Sequence, residues 1–200
     1  MSLFPQDRKR IRARIRSYER ALQQEQDQFG MIHDGYGKRY LLGPLYLLMD
    51  DLEGALAHYA WFERTCPDDS GHPMHLLCWT LALYRSGDLE AATHKLCQTM
   101  LSNLYLISHV LGLNQANLDI WHGSNLAEPD HIRDIPAEVI ALWDEAARQW
   151  LTDTYHSPPV RRIRERYIAI QAELRTEPRG PRRTQLVEES SSLRFGGKGF

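Results

Sequence analysis

Apolar residues recur at helical spacing along most of this chain, and no segment shows the period-two alternation of a strand. Over residues 6–28, Ile11, Ile15, Tyr18 and Leu22 mark one face of a 3.6-residue period. Arg8, Lys9, Arg10, Arg12, Arg14, Arg16 and Arg20 cover the rest of that helix. The basic first half opposes the helix dipole, a small cost that hints at an acidic counterpart. Gly30, Gly35 and Gly37 end the segment. Residues 38–49 are apolar nearly all round, which predicts a helix buried on more than one side. After Asp50-Asp51, residues 52–65 carry Leu52, Ala55, Leu56, Tyr59 and Phe62 at helical spacing, and Pro67 to Gly71 breaks them off.

The pattern then repeats. Residues 74–86 form a helix, Ser86-Gly87-Asp88 a turn, and residues 89–102 its partner, with Leu89, Ala92, Leu96 and Met100 inward. Residues 103–121 read as helical with a break near Gly112 and Asn114, and residues 122–134 as loop. Asp134 and Pro136 open a helix running to about Thr154. Ser157-Pro158-Pro159 separates it from a last helix over 160–174, with Ile163, Tyr167, Ile170 and Leu174 on one face. From Thr176 onward, Arg, Pro, Gly, Ser and Glu prevail, and a flexible tail is expected. The fold class is therefore all-α. The expected organisation is a basic helix over 1–30, a helical core over 36–156, a basic helix over 157–175 and a tail over 176–200.

One phrase is written twice. Asp50-Asp51-Leu52-Glu53-Gly54-Ala55 returns 37 residues later as Gly87-Asp88-Leu89-Glu90-Ala91-Ala92. Repeats of this period are stacked units, none of which can bury its apolar face alone. Residues 39–67 resemble a tetratricopeptide repeat, two antiparallel helices in one unit. Leu42, Gly43, Tyr46, Leu52, Ala55, Tyr59 and Pro67 match that pattern, with Phe62 in place of a small residue and Pro44 as a departure. In the second copy Leu76, Trp79, Gly87, Leu89, Ala92 and Leu96 fit, Thr80 stands where Gly43 stood, and Leu104 takes the place of the proline.

The resemblance implies a protein-binding scaffold whose groove is lined by the first helix of each pair. Tyr40, Leu41, Pro44, Leu45 and Leu48 would line it from copy one. Leu77, Cys78, Leu81, Tyr84 and Arg85 would line it from copy two. The cationic and amide residues that grip a C-terminal carboxylate in one subset of the family are missing at these positions. An apolar groove of this kind takes an amphipathic helix, the chain's own terminal helix, or a second copy.

Charge changes the picture only by its distribution. The net charge is −2, yet residues 1–29 hold seven basic and four acidic residues, residues 30–157 seven and 17, and residues 158–183 eight and three. An acidic middle suits a basic partner or the chain's own ends. The arginine-rich ends are the rival signal. Arg161, Arg162, Arg164, Arg166, Arg179, Arg182 and Arg183 could meet phosphates, and Tyr167 could stack, although no known nucleic-acid motif is present. No apolar run approaches the ~18 residues of a membrane span, and residues 1–16 lack a secretory core. Cys66, Cys78 and Cys97 fit neither a disulfide framework nor a zinc pattern, so reduced thiols and a cytoplasmic location are expected.

Catalytic and metal signals are weak. Asp68, Asp69, His72 and His75 gather in one loop, and His122 and His131 flank another with Asp130 and Asp134, but neither offers the ligand set zinc wants. Phosphate loops, nucleophile elbows and H-E-x-x-H are missing. The tryptophans fit core packing except Trp61, which lies off the Leu52–Ala55–Tyr59 stripe and either packs on the N-terminal helix or faces a partner. The expected function is non-enzymatic protein binding by an adaptor or assembly factor, with no cofactor and no metal. Nucleic-acid association through the terminal arginines and a cryptic enzyme are the alternatives.

Overall fold

A computed structural model of the chain describes residues 3–196. Among those residues every regular element is helical and there is no strand. The contacts group into two compact units, one of the residues up to Ala92 with Ile135–Leu142, the other of Thr93–Asp134 with the residues from Trp143 onward. That division cuts across the expected 36–156 core and falls inside a helix.

The first unit opens with α1 (Arg8–Phe29), capped by the Asp7 carboxylate on the Arg10 N–H at 2.9 Å and stopped by left-handed Gly30. Ile11, Ile15 and Leu22 are its buried stripe, and α1 packs on α2 (Lys38–Leu48). Helix α2 continues past Pro44, which removes the bond residue 44 would donate to Tyr40. It packs against α3 (Leu52–Thr65) and α4 (Pro73–Ser86). A Cβ at residue 43 would overlap the Tyr59 phenol, so glycine is what lets α2 and α3 lie this close. Tyr59 in turn stacks on Trp79 of α4, with ring centroids 5.0 Å apart.

The repeated phrase has one physical job. Asp50 (φ 57°) and Gly87 (φ 84°) both take the left-handed turn. The next residue then caps a helix in each copy. Asp51 accepts the Gly54 N–H at 2.8 Å for α3, and Asp88 accepts the Ala91 N–H at 3.0 Å for α5 (Leu89–Ser102).

The second unit departs from expectation at three places. Residues 103–121 give only a short α6 (Leu106–Val110). Asn103 explains the loss: its side chain accepts the Tyr105 N–H and donates to the Leu126 and Glu128 carbonyls, which pins the chain as loop. The expected single helix over 136–154 is divided. α7 (Ala137–Ile140) belongs to the first unit, and α8 (Glu145–His156) starts afresh because Asp144 caps the Ala147 N–H at 2.9 Å. The tail expected to be flexible from 176 instead forms α10 (Pro181–Phe195), antiparallel to α9 (Pro158–Thr176); residues 197–200 of that tail lie outside the described residues. Leu186 is fully buried against Ile170 and Leu174, with Leu193 beside them. Arg183 caps the end of α9 through the Leu174 and Glu177 carbonyls at 2.7 and 2.8 Å.

Candidate functional site

The ten groove positions do not share an open surface. Leu45, Leu77, Cys78 and Leu81 are fully buried, and Pro44 is buried. Leu41, Leu48 and Tyr84 are half-buried, and so are Tyr40 and Arg85. Helix α7 packs on α2, and Arg85 reaches back to donate to the Leu142 carbonyl at 2.6 Å. Tyr40 is committed too. Its hydroxyl lies 2.7 Å from the Asp69 carboxylate, and Arg39 donates to Asp69 at 2.8 Å. Burial, then the Asp69 charge, push the Tyr40 phenol up to about 12. Half of the expected groove positions are thus spent in the chain's own core, and Tyr40 and Arg85 are committed to internal hydrogen bonds.

An open cleft lies elsewhere, between α1 and the α2–α3 hairpin, with a volume near 290 Å³. Its apolar surface is Leu22, Leu42 and Trp61; Glu19, Gln23, Gln26, Tyr46 and His58 supply its polar atoms. One glycine-scale approach shapes it. Gly54 lines the cleft where a Cβ would come within 2.6 Å of the Tyr46 ring, so Tyr46 lies flat on α3 and its hydroxyl bonds the Glu19 carboxylate. Burial, reinforced by Glu19, raises the Tyr46 phenol and keeps it protonated. His58 donates from Nε2 to the Arg39 carbonyl at 2.8 Å and stacks under Trp61 at 5.4 Å. Burial lowers His58 to about 4, outweighing that bond, so the ring is neutral at pH 7.

The two glutamines each commit the same end. Gln23 Nε2 donates to Asp27 at 2.7 Å and Gln26 Nε2 to the Gly30 carbonyl at 3.0 Å. Gln26 Oε1, shut from solvent, accepts no hydrogen bond. Past Tyr46 a second depression of about 230 Å³ continues along α1 between Ile15 and Met49, with Arg12, Arg16 and Asp51 on its edge.

The histidine loop is structural. Asp69 is shared among Arg39, Tyr40 and the Gly71 N–H, and His72 Nδ1 accepts the Met74 N–H at 3.2 Å as the cap of α4. His75 is fully buried amid Tyr59, Phe62 and Trp79. His122 instead bonds the Tyr105 hydroxyl at 3.1 Å. Among the described residues no three His, Cys, Asp or Glu side chains gather as metal ligands. Burial raises Cys78, and raises Cys97 to about 11, which suppresses the reactive thiolate.

The C-terminal arginines expected to meet phosphates are largely spent within their own unit. Arg166 pairs with Glu189 at 2.5 Å, Arg182 with Glu173 at 2.6 Å, Arg183 donates to the Leu174 and Glu177 carbonyls, and Arg164 donates to Gln115 at 3.0 Å. None of the described helices is long and apolar enough to cross a membrane. No family model matches the chain, and comparison with curated proteins and with solved structures found no match.

Proposed function

We propose that the chain is a non-enzymatic protein-interaction module, an adaptor or assembly factor built on tetratricopeptide-like hairpins. The partner segment docks in the cleft beside α1 rather than on the first-helix face. The observation that carries this reading is the contrast between a first-helix face filled by the chain itself and an open cleft presenting a tryptophan. Aromatic residues seated in a pocket with a polar rim anchor protein interfaces. The doubled turn, with a left-handed residue followed by a capping aspartate in each copy, supports the kinship of the two hairpins.

The test is affinity capture from nuclease-treated lysate of the natural host, using wild type, Trp61→Ala and Leu41→Glu. A protein partner lost with Trp61→Ala and kept with Leu41→Glu is the expected result. Loss with Leu41→Glu alone returns docking to the first-helix face. Loss of a nucleic acid with rising salt, and of no protein, would favour phosphate binding by the arginines.

A further inference from the structure

We infer that the Trp61 cleft is a guanidinium pocket: it receives an arginine side chain carried by the partner segment. The inference rests on the reading of the cleft as a protein-docking site. Glu19 is the one charged residue among those lining the cleft, and no lysine or arginine lines it. Gln23 and Gln26 turn their N–H groups to Asp27 and Gly30, which leaves their oxygens as acceptors. The site thus sets the Glu19 carboxylate and the Gln23 side chain beside an apolar floor of Leu22, Leu42 and Trp61.

Shape and charge select among cations. Guanidinium is planar, carries five donors, is weakly hydrated and stacks on aromatic rings, whereas ammonium is a strongly hydrated point charge. Trp61 supplies the ring, and neutral His58 beneath it adds no repulsion. The sign of the trough fixes the end. Past Tyr46 the edge carries Arg12 and Arg16 against the single carboxylate of Asp51, so a guanidinium is less favoured there than beside Glu19.

The experiment titrates the full-length, ¹⁵N-labelled chain with acetyl-arginine-amide and with acetyl-citrulline-amide, which has the same shape without the charge. The Trp61 indole N–H signal, identified by its loss in Trp61→Phe, is the readout. A saturable shift with arginine, at least about ten-fold weaker with citrulline, is expected. Glu19→Gln, which still accepts the Tyr46 hydroxyl, should weaken arginine by about the same factor. Equal response to the two probes, or a Trp61 signal that never moves, overturns the inference. Selection from a random peptide library against wild type and Trp61→Ala separates it from the reading beneath it. Trp61-dependent peptides enriched in arginine support both. Trp61-dependent peptides without arginine overturn the guanidinium pocket alone, and a lack of Trp61-dependent peptides overturns both.

Discussion

The two hairpin copies share a turn and differ in the residues that fill them. At the turn, Asp50 and Gly87 hold the left-handed position, and Asp51 and Asp88 the cap. Away from it, sizes change in matched pairs. Copy one sets Gly43 under Tyr59 and Gly54 under Tyr46. The corresponding positions of copy two, 37 residues on, hold Thr80 and Leu96, and Ala91 and Leu83. In the sequence, each glycine–tyrosine combination of copy one is replaced in copy two by two residues of intermediate size. Backbone geometry at the turn admits few residues, whereas core filling asks only for total volume. The same pairs explain why copy one has a cleft: Tyr46, lying on Gly54, frames it.

His58 of copy one, where copy two has Lys95, gives the largest expected effect. Unfolded, this histidine takes up a proton below about 6.5; folded, it resists until about 4. Its contribution is therefore complete above pH 6.5 and is lost as pH falls toward 4, by about 3 kcal/mol. Denaturant unfolding from pH 7 to 4 should show a shallower pH slope in His58→Gln than in wild type. Equal slopes would mean His58 does not tell the copies apart.

Exchanging the matched pair comes next. Gly43→Thr alone should cost about 1–3 kcal/mol by forcing Tyr59 aside. Adding Tyr59→Leu, which also removes a buried hydroxyl with no partner, should recover much of that loss. Strict additivity in the double variant would break the volume argument. Asp51→Ala and Asp88→Ala should each cost about 1 kcal/mol in the same assay, because each removes one cap bond. A cost confined to one copy would deny the phrase its common job. The smallest effect is Asp50→Gly, where relief of the left-handed strain is offset by a more flexible unfolded chain. A gain below about 1 kcal/mol in denaturant unfolding is expected, and a loss would mean that Asp50 contributes through Arg8, 3.5 Å away on an exposed surface.

The helices of the first unit were legible because each has a stripe and a marked end: Ile11–Ile15–Leu22 with Gly30, and Leu52–Ala55–Tyr59 with Asp51. The second unit was harder to read because single polar side chains set its backbone. Asn103 turns an apolar run into loop, and Asp144 restarts a helix within one apparent segment. α10 was hidden by its composition, yet Pro181 at its first turn and the seven-residue step from Leu186 to Leu193 were signals. For the site, the family-like groove pointed to residues that the fold buries. Trp61, off its helix stripe, was the readable clue. The partners around it come from α1, and periodicity within one helix cannot say which neighbour covers which face.

Hydrogen–deuterium exchange of the full chain, with and without a selected peptide, tests the central claim most directly. The account predicts slowed exchange over residues 15–26 of α1 and 54–61 of α3, removed by Trp61→Ala. Slowed exchange confined to residues 40–48 and 77–85, or to the α9–α10 pair, would contradict it.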